Sequence, residues 1–487
     1  TIHTHNSSYI TFTPPYEYPE YVDDGGAVNC SVPINERIRM RKQIKRIQDI
    51  LTDSNKSNLL NQNSSSSTAK DTDKESRSSK QKEIDELYRS IEHKVYGRDN
   101  DRDHICKMLR EGRADANAAS SNNSKRPYSV VGIYGLTGSG KSTLAKYVCD
   151  YEKEKVGKSK HFNPIVFIYV NKVFNVKDIF HDMLKQIRGK KWSSDGKSTE
   201  TLKKHLEEGL KNKRFLLVEN DEAGDKILLK TDNRKKERDI LLDALRVGRR
   251  GSRILVTSQT ENAAAALGAH KKQNIQIREL KETEYLSLFI HNALEGAVYD
   301  DAAEEEEYKR VGRRIANKLH RSPIAAVTVA RRLQRNRSIG FWKTTANHDL
   351  LSSTMGALWW SYQKLGADTR RCFAYCSTFP SGYELNRDEL VRIWIAQGFV
   401  STSSNAAEEL EDVGLLLFEE LLQFSFLQVK DYGTEAFTVH DLLHKLAERV
   451  AGSNFFRLDD SNSGLPDDIL PSVRHLCIET RNGAQIA

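Results

Sequence analysis

Eight consecutive residues, Gly135-Leu136-Thr137-Gly138-Ser139-Gly140-Lys141-Ser142, have the spacing of a phosphate-binding loop. The apolar run before them ends at Tyr134, and a helical pattern follows to about Asp150. Gly135, Gly138 and Gly140 permit the backbone to turn its amides, Ser139 among them, toward phosphate oxygens. The start of the following helix adds partial positive charge. Lys141 supplies a full charge, Ser142 can ligate Mg²⁺ through its hydroxyl, and Thr143 follows on the same turn. With strand, loop and helix in register, the chain reads as a binder of a nucleoside di- or triphosphate.

Such a site pairs the loop with a second apolar strand ending in an acid that holds Mg²⁺ and orients water. Residues 213–222, KRFLLVENDE, supply the strand. Its end is unusual: Glu219, Asp221 and Glu222 surround a neutral Asn220. Asp221 is the candidate catalytic carboxylate, with Glu219 or Glu222 as alternatives through a shifted strand end.

Positioning these residues requires a sheet. Apolar runs at 130–134, 165–170, 215–218, 254–256 and 275–277 alternate with helix-length segments. That alternation is the mark of a parallel sheet covered on both faces. After residue 280 the strands stop and helical patterns continue. Residues 349–450 are mainly helical, with a hairpin expected at 426–429 and 436–439, which suggests a winged helix. Residues 34–60 carry an amphipathic helical stripe, and 61–82 are a Ser-rich linker. The expected organisation is an irregular segment at 1–33, a partial helical segment and linker at 34–94, and a nucleotide-binding domain at 95–279. A helical domain at 280–348, a winged-helix domain at 349–452 and a linker at 453–487 complete it.

Composition narrows the classes. The 487 residues suit several domains, and 75 Lys plus Arg against 67 Asp plus Glu leave a net charge of only +8. No run approaches 18 apolar residues, which excludes a spanning helix of ordinary kind. The chain begins without Met and has no secretory leader at Thr1, so it reads as a piece of a longer protein. Six cysteines are too few for a disulfide framework; Cys372 and Cys376, one turn apart, lack the second pair of a zinc site and read as buried helix positions.

The order of motifs resembles the NB-ARC module of plant intracellular immune receptors. The loop at 135–142, the strand at 213–222 and GSRILVTS at 251–258 are similar to three consecutive signatures of that module. Arg321-Ser322-Pro323-Ile324-Ala325 resembles its GLPLA segment. Residues 371–380 with 394–399 are similar to its winged-helix signature, and Val439-His440-Asp441 to its MHD motif. The likeness covers roughly 95–450. Residues 34–60 would be the tail of a coiled-coil-type domain, and 471–476 the start of leucine-rich repeats.

The resemblance implies an α/β P-loop NTPase domain followed by helical and winged-helix domains of STAND type, closed around ADP at rest and opened by exchange for ATP. Lys141, Ser142 and Thr143 would hold phosphate and metal. Val95, Tyr96 and Arg98 would line the adenine side, with Pro323 against the base and His440 reaching the β-phosphate. The implied partners are the chain's own N-terminal and leucine-rich repeat domains, further copies on activation, and a pathogen effector or guarded host protein. The implied location is the cytoplasm, with the nucleus second.

This chain departs from the pattern. Asn220 stands for the Mg²⁺-binding Asp, Gln259 for an Arg expected to sense the γ-phosphate, Arg321-Ser322 for Gly-Leu, and Val439 for Met. Each lost charge-assisted contact is worth about 1.5–3 kcal/mol, and both act at the phosphate end. A switch that holds ADP and hydrolyses ATP slowly at most is therefore expected. A turning-over ATPase would want those charges. A DNA-binding regulator would want a polar reading helix, whereas 388–397 is mostly apolar. The acidic run at 304–307, Trp359-Trp360 and the basic cluster of Arg331, Arg332, Arg335 and Arg337 read as solvated helix ends or helix packing.

Overall fold

The protein is described by a computed structural model at residues 2–5, 9–12, 94–111, 126–157, 160–170, 175–189, 197–221, 232–261, 273–401, 409–430, 436–458 and 473–479. The expected amphipathic helix at 34–60 and the Ser-rich linker at 61–82 lie outside these residues.

Two short strands, β1 (Ile2–His5) and β2 (Tyr9–Phe12), pair antiparallel near the chain start. Their stretch lacks helical period and was expected to be irregular. The correction has a simple cause: a four-residue strand leaves little pattern of its own, and the strand on the other side of β2 lies at residues 475–479, remote in sequence.

The nucleotide-binding unit follows. Helix α1 (Asp99–Glu111) leads into β3 (Tyr128–Tyr134), the phosphate loop and α2 (Lys141–Lys153). Then come β4 (Ile165–Val170), α3 (Val176–Arg188), α4 (Thr199–Leu210), β5 (Leu216–Asp221), α5 (Asp232–Ala244), β6 (Ser252–Ser258) and β7 (Asn274–Gln276). The five strands form one parallel sheet in the order β4-β5-β6-β3-β7. Alternate strand residues feed opposite faces, as period 2 requires. Val130, Leu217, Ile254 and Val256 pack with α3, α4 and α5, while Val131, Ile133, Leu216, Val218 and Leu255 pack with α1 and α2. The predicted strands all appear: β4 matches its run, while β3, β5 and β6 extend by two or three residues at one or both ends. β5 and β7 each start or stop one residue away from the expected bound, since periodicity gives little signal at strand ends.

Helices α6 (Glu282–Leu294), α7 (Ala302–Lys318), α8 (Pro323–Arg335) and α9 (Ile339–Ala346) build the helical unit around Phe289, Ile315, Val329 and Trp342. Pro323 opens α8 at a position where its missing N–H costs nothing. The acidic run of 304–307 falls in the first turns of α7 behind the N-cap Asp301, where negative charge suits the helix dipole. Helix α10 (Thr354–Gln363) belongs to two cores at once, giving Ala357 and Trp360 to the helical unit and Leu358 to the next.

The winged-helix unit contains α11 (Ala367–Tyr375), β8 (Leu385–Asn386), α12 (Arg387–Ala396), α13 (Leu410–Gln423), β9 (Gln428–Val429), β10 (Ala436–Thr438) and α14 (Asp441–Ala451). The hairpin of β9 and β10 forms where expected, and β8 adds an unpredicted third strand. Trp394, Phe373 and Phe418 fill the core, so α12 turns its apolar residues inward. Cys372 and Cys376 are buried free thiols whose pKa values burial raises, as expected of packing residues. Finally β11 (Phe455–Leu458) and β12 (His475–Glu479) complete a four-stranded sheet with β1 and β2, in the order β1-β2-β12-β11.

Candidate nucleotide-binding site

The phosphate loop emerges from the C-terminal end of β3, beside the ends of β5 and β6, where parallel sheets place their ligands. Gly138 (φ 80°) and Gly140 (φ 90°) take left-handed backbone conformations that open the loop; Gly140 caps α2. Gly135 lies beneath the loop, its N–H bonded to the Ser258 carbonyl, and a Cβ there would stand 2.5 Å from Ile277.

Lys141 is 8% exposed and curls back over the loop, donating from Nζ to the carbonyls of Gly135 and Leu136 at 2.9 and 2.8 Å. Arg98, also buried, donates to the Ser139 carbonyl at 3.2 Å and the Arg278 carbonyl at 2.9 Å, and pairs with Asp101. It is thus a brace that holds the loop against the segment before α6. Gly97 must be glycine for this turn, because at φ 63° a Cβ would lie 2.3 Å from a Glu284 carboxylate oxygen. Among the described residues, the Ser139 hydroxyl is buried with no hydrogen-bond partner, which suits an incoming phosphate oxygen.

Asn220 occupies the β5 position that faces the loop. Its Oδ1 accepts from Ser142 Oγ at 2.7 Å and from Thr257 Oγ1 at 2.6 Å. Asp221, the candidate catalytic acid, ends β5 opposite Val170, and its side chain lies outside the described residues. Gln259 is exposed at the rim of the cavity.

The other two units close over the loop. A Cβ on Gly138 would meet Leu442 at 3.0 Å, Ile324 at 3.1 Å and His440 Cε1 at 3.9 Å. His440 caps α14, its Nδ1 accepting the Leu442 N–H at 3.1 Å. The neutral ring therefore carries its proton on Nε2, leaving a donor on the far edge. Burial holds the His440 pKa below the usual value, nearby Lys141 lowers it further, and Asp441 opposes both. Asp441 is fixed by the Ser381 hydroxyl at 2.7 Å.

One cavity of about 1070 Å³ opens beside the loop, a size suited to a cofactor. Val95, Tyr96, Arg98, Gly138, Ser139, Gly140, Lys141, Ser142, Thr143, Pro323 and His440 all border it; Gly135 does not. The sequence reading missed its outer wall, made by His291, Asn292, Arg331 and Ser425. It also read the basic cluster as solvated: Arg335 and Arg337 are exposed as expected, whereas Arg331 and Arg332 are covered. Arg331 is buried, donating to Ser425 Oγ at 2.8 Å and Asn292 Oδ1 at 3.4 Å. Arg332 lies 4.1 Å from the Phe424 ring centre and 3.9 Å from Glu420. The available signal was the helical spacing of Ile324, Val327 and Arg331, which puts all three on one face.

A strand–loop–helix phosphate site under a helical unit and a winged helix defines a nucleotide-binding protein of the P-loop class. Comparison with known families agrees: the NB-ARC domain matches residues 116–299, and the disease resistance protein winged helix domain matches residues 378–447. The chain therefore carries an NB-ARC domain followed by the winged helix domain of disease resistance proteins. It is 31% identical to the putative disease resistance protein RGA4 of Solanum bulbocastanum over 364 residues, 73% of this chain and 34% of that protein. Against the disease resistance protein RPM1 of Arabidopsis thaliana it is 27% identical over 379 residues, 72% and 38% of the two chains. The chain thus spans about a third of the length of the curated relatives it matches. Among solved structures, the Aeropyrum pernix ORC2 protein (ADPNP-ADP complexes) aligns with a TM-score of 0.38 and 12% identity, over 74% of this chain and 96% of that one. That likeness is too distant to bear on function. No helix among the described residues is long and apolar enough to cross a membrane.

Proposed function

We propose that the chain is the nucleotide-controlled switch of a plant immune receptor, closed on ADP at rest and activated by exchange for ATP. The observation that carries this reading is the convergence of three units on Gly138. Ile324 of the helical unit and Leu442 with His440 of the winged-helix unit lie against the loop that would hold the β-phosphate. Their separation and the nucleotide's identity are then linked, because a γ-phosphate would need the space and the His440 edge that the diphosphate leaves in place. The Nε2–H of His440 is suited to donate to a β-phosphate oxygen. Lys141, Ser142, Ser139 and the loop amides would hold the phosphates, with Tyr96 and Pro323 on the adenine side. Asn220 and the exposed Gln259 favour slow hydrolysis at most.

The remainder of the reading follows from the family: a cytoplasmic or nuclear receptor, restrained by its own N-terminal and leucine-rich repeat domains and released to self-associate on a pathogen signal. The primary test is the nucleotide carried by the purified chain, released by denaturation and resolved by ion exchange. Stoichiometric ADP is expected. Bound ATP would replace the resting-state assignment, and an empty site that ADP cannot refill would sink the switch altogether.

A further inference from the structure

The foot of the phosphate loop is built from neutral groups. Asn220 is 1% exposed, and its Oδ1 accepts two hydroxyl protons, from Ser142 and Thr257. A carbonyl oxygen has two lone pairs, so both are engaged. The amide's other heteroatom is an NH₂ group, a donor that cannot accept from a metal-bound water. A carboxylate here would differ in kind: its second oxygen would remain to accept from metal-bound water.

The neighbouring acid does not repair this. Glu219 is buried, and strand alternation sends it to the opposite face of β5 from Asn220. Among the described residues, no group of three or more His, Cys, Asp and Glu side chains could hold a metal ion. The positive charge opposite the phosphates comes instead from Lys141 and the N-terminus of α2. A metal in a P-loop bridges β- and γ-oxygens, so its loss costs a triphosphate more than a diphosphate.

Resting on the reading of the cavity as an ADP site, we propose that this loop binds nucleoside diphosphate without a divalent cation. The Ser142–Asn220–Thr257 cluster stands where a magnesium site would be. The sites for ADP and Mg²⁺ are thereby uncoupled in this chain.

The test is calorimetric titration of the nucleotide-stripped full chain with ADP, once in EDTA and once in excess Mg²⁺. Affinity in Mg²⁺ is expected to be equal or weaker, because the cation competes for free ADP. A gain of about tenfold or more in Mg²⁺, near 1.4 kcal/mol, would overturn the proposal. Absence of ADP binding in both buffers would overturn the ADP-site reading itself, and the two failures are distinguishable. A second measurement follows Mn²⁺ by its electron spin resonance signal. With ADP present, Asn220→Asp is expected to retain Mn²⁺ beyond what ADP alone holds, and the native chain is not. Retention by the native chain at the level of N220D would refute the uncoupling.

Discussion

Gly138 sets how close two other units can come to the phosphate loop. Its φ of 80° disfavours any side chain, and the space where a Cβ would sit is already bordered by Leu442 and Ile324 at 3.0 and 3.1 Å. Gly138→Ala is expected to cost about 1–2 kcal/mol in backbone strain alone and to push the helical unit and the winged helix off the loop. The bound-ADP fraction after gel filtration should fall; unchanged retention would show that the convergence is not needed for binding. A second residue-scale prediction concerns pH. His475 is buried and stacked on Phe455 at 4.4 Å between ring centres, and burial, helped by Arg474, lowers its pKa to about 4. Since the folded value lies below the ordinary 6.5, the unfolded chain binds more protons between them. Stability is therefore full above about pH 6.5 and declines as pH falls toward 4, by up to about 3 kcal/mol. Urea midpoints across that range should fall for the native chain and be flatter for His475→Phe. The loop glycines and Lys141 were legible because their chemistry is local. The bracing role of Arg98 was not, since the carbonyls it binds come from Ser139 and Arg278, which only the folded sheet brings together.

At the scale of elements, α8 is the part that touches everything. Its first turn places Pro323 and Ile324 at the phosphate loop, and two turns later Arg331 reaches Ser425 between α13 and β9. Arg332 then packs on Phe424, and Arg335 hydrogen-bonds Gln423. Three guanidinium groups thus gather at the C-terminal end of α13, where the helix dipole favours positive charge. Loss of a buried charged hydrogen bond costs about 1.5–3 kcal/mol, so Arg331→Ala should loosen the helical unit from the winged helix by that order. Faster proteolysis between residues 423 and 436 in limited trypsin digestion is the expected readout, with Arg331→Lys intermediate. Equal digestion rates would mean that the α8–α13 contact does not restrain the winged helix. Sequence periodicity found α8 and its apolar face. It could not distinguish a solvated basic end from one covered by another unit, because Arg has a long apolar stem and serves both settings.

Among the described residues, the winged-helix unit also contacts the nucleotide-binding sheet outside the phosphate loop, and in the proposed switch that contact bears on opening. Beyond β9, the Lys430 carbonyl accepts from Lys146 Nζ on α2 at 3.1 Å and from the Tyr169 hydroxyl on β4 at 3.4 Å. The Lys430 ammonium lies 4.7 Å from the Tyr169 ring centre and pairs with Glu384 at 2.9 Å. This contact joins the winged helix to the nucleotide-binding sheet. Residues Tyr169, Lys146, Gln428 and Thr438 border the cavity there, so the contact forms one of its walls. Opening by rotation of the winged-helix unit must therefore break it together with the His440 approach to the loop. Neither Tyr169 nor Lys146 belongs to the phosphate motif, so Tyr169→Ala with Lys146→Ala tests closure with the loop intact. The contacts are part-buried and few, worth about 0.5–1.5 kcal/mol each, which is a shift of several-fold to tens-fold in the open fraction. The double variant is expected to release a fluorescent ADP analogue several-fold faster and to show a larger radius of gyration in solution scattering. Faster release with unchanged dimensions would assign these residues to nucleotide contact alone. Unchanged release and dimensions would place the restraint wholly at α8 and His440.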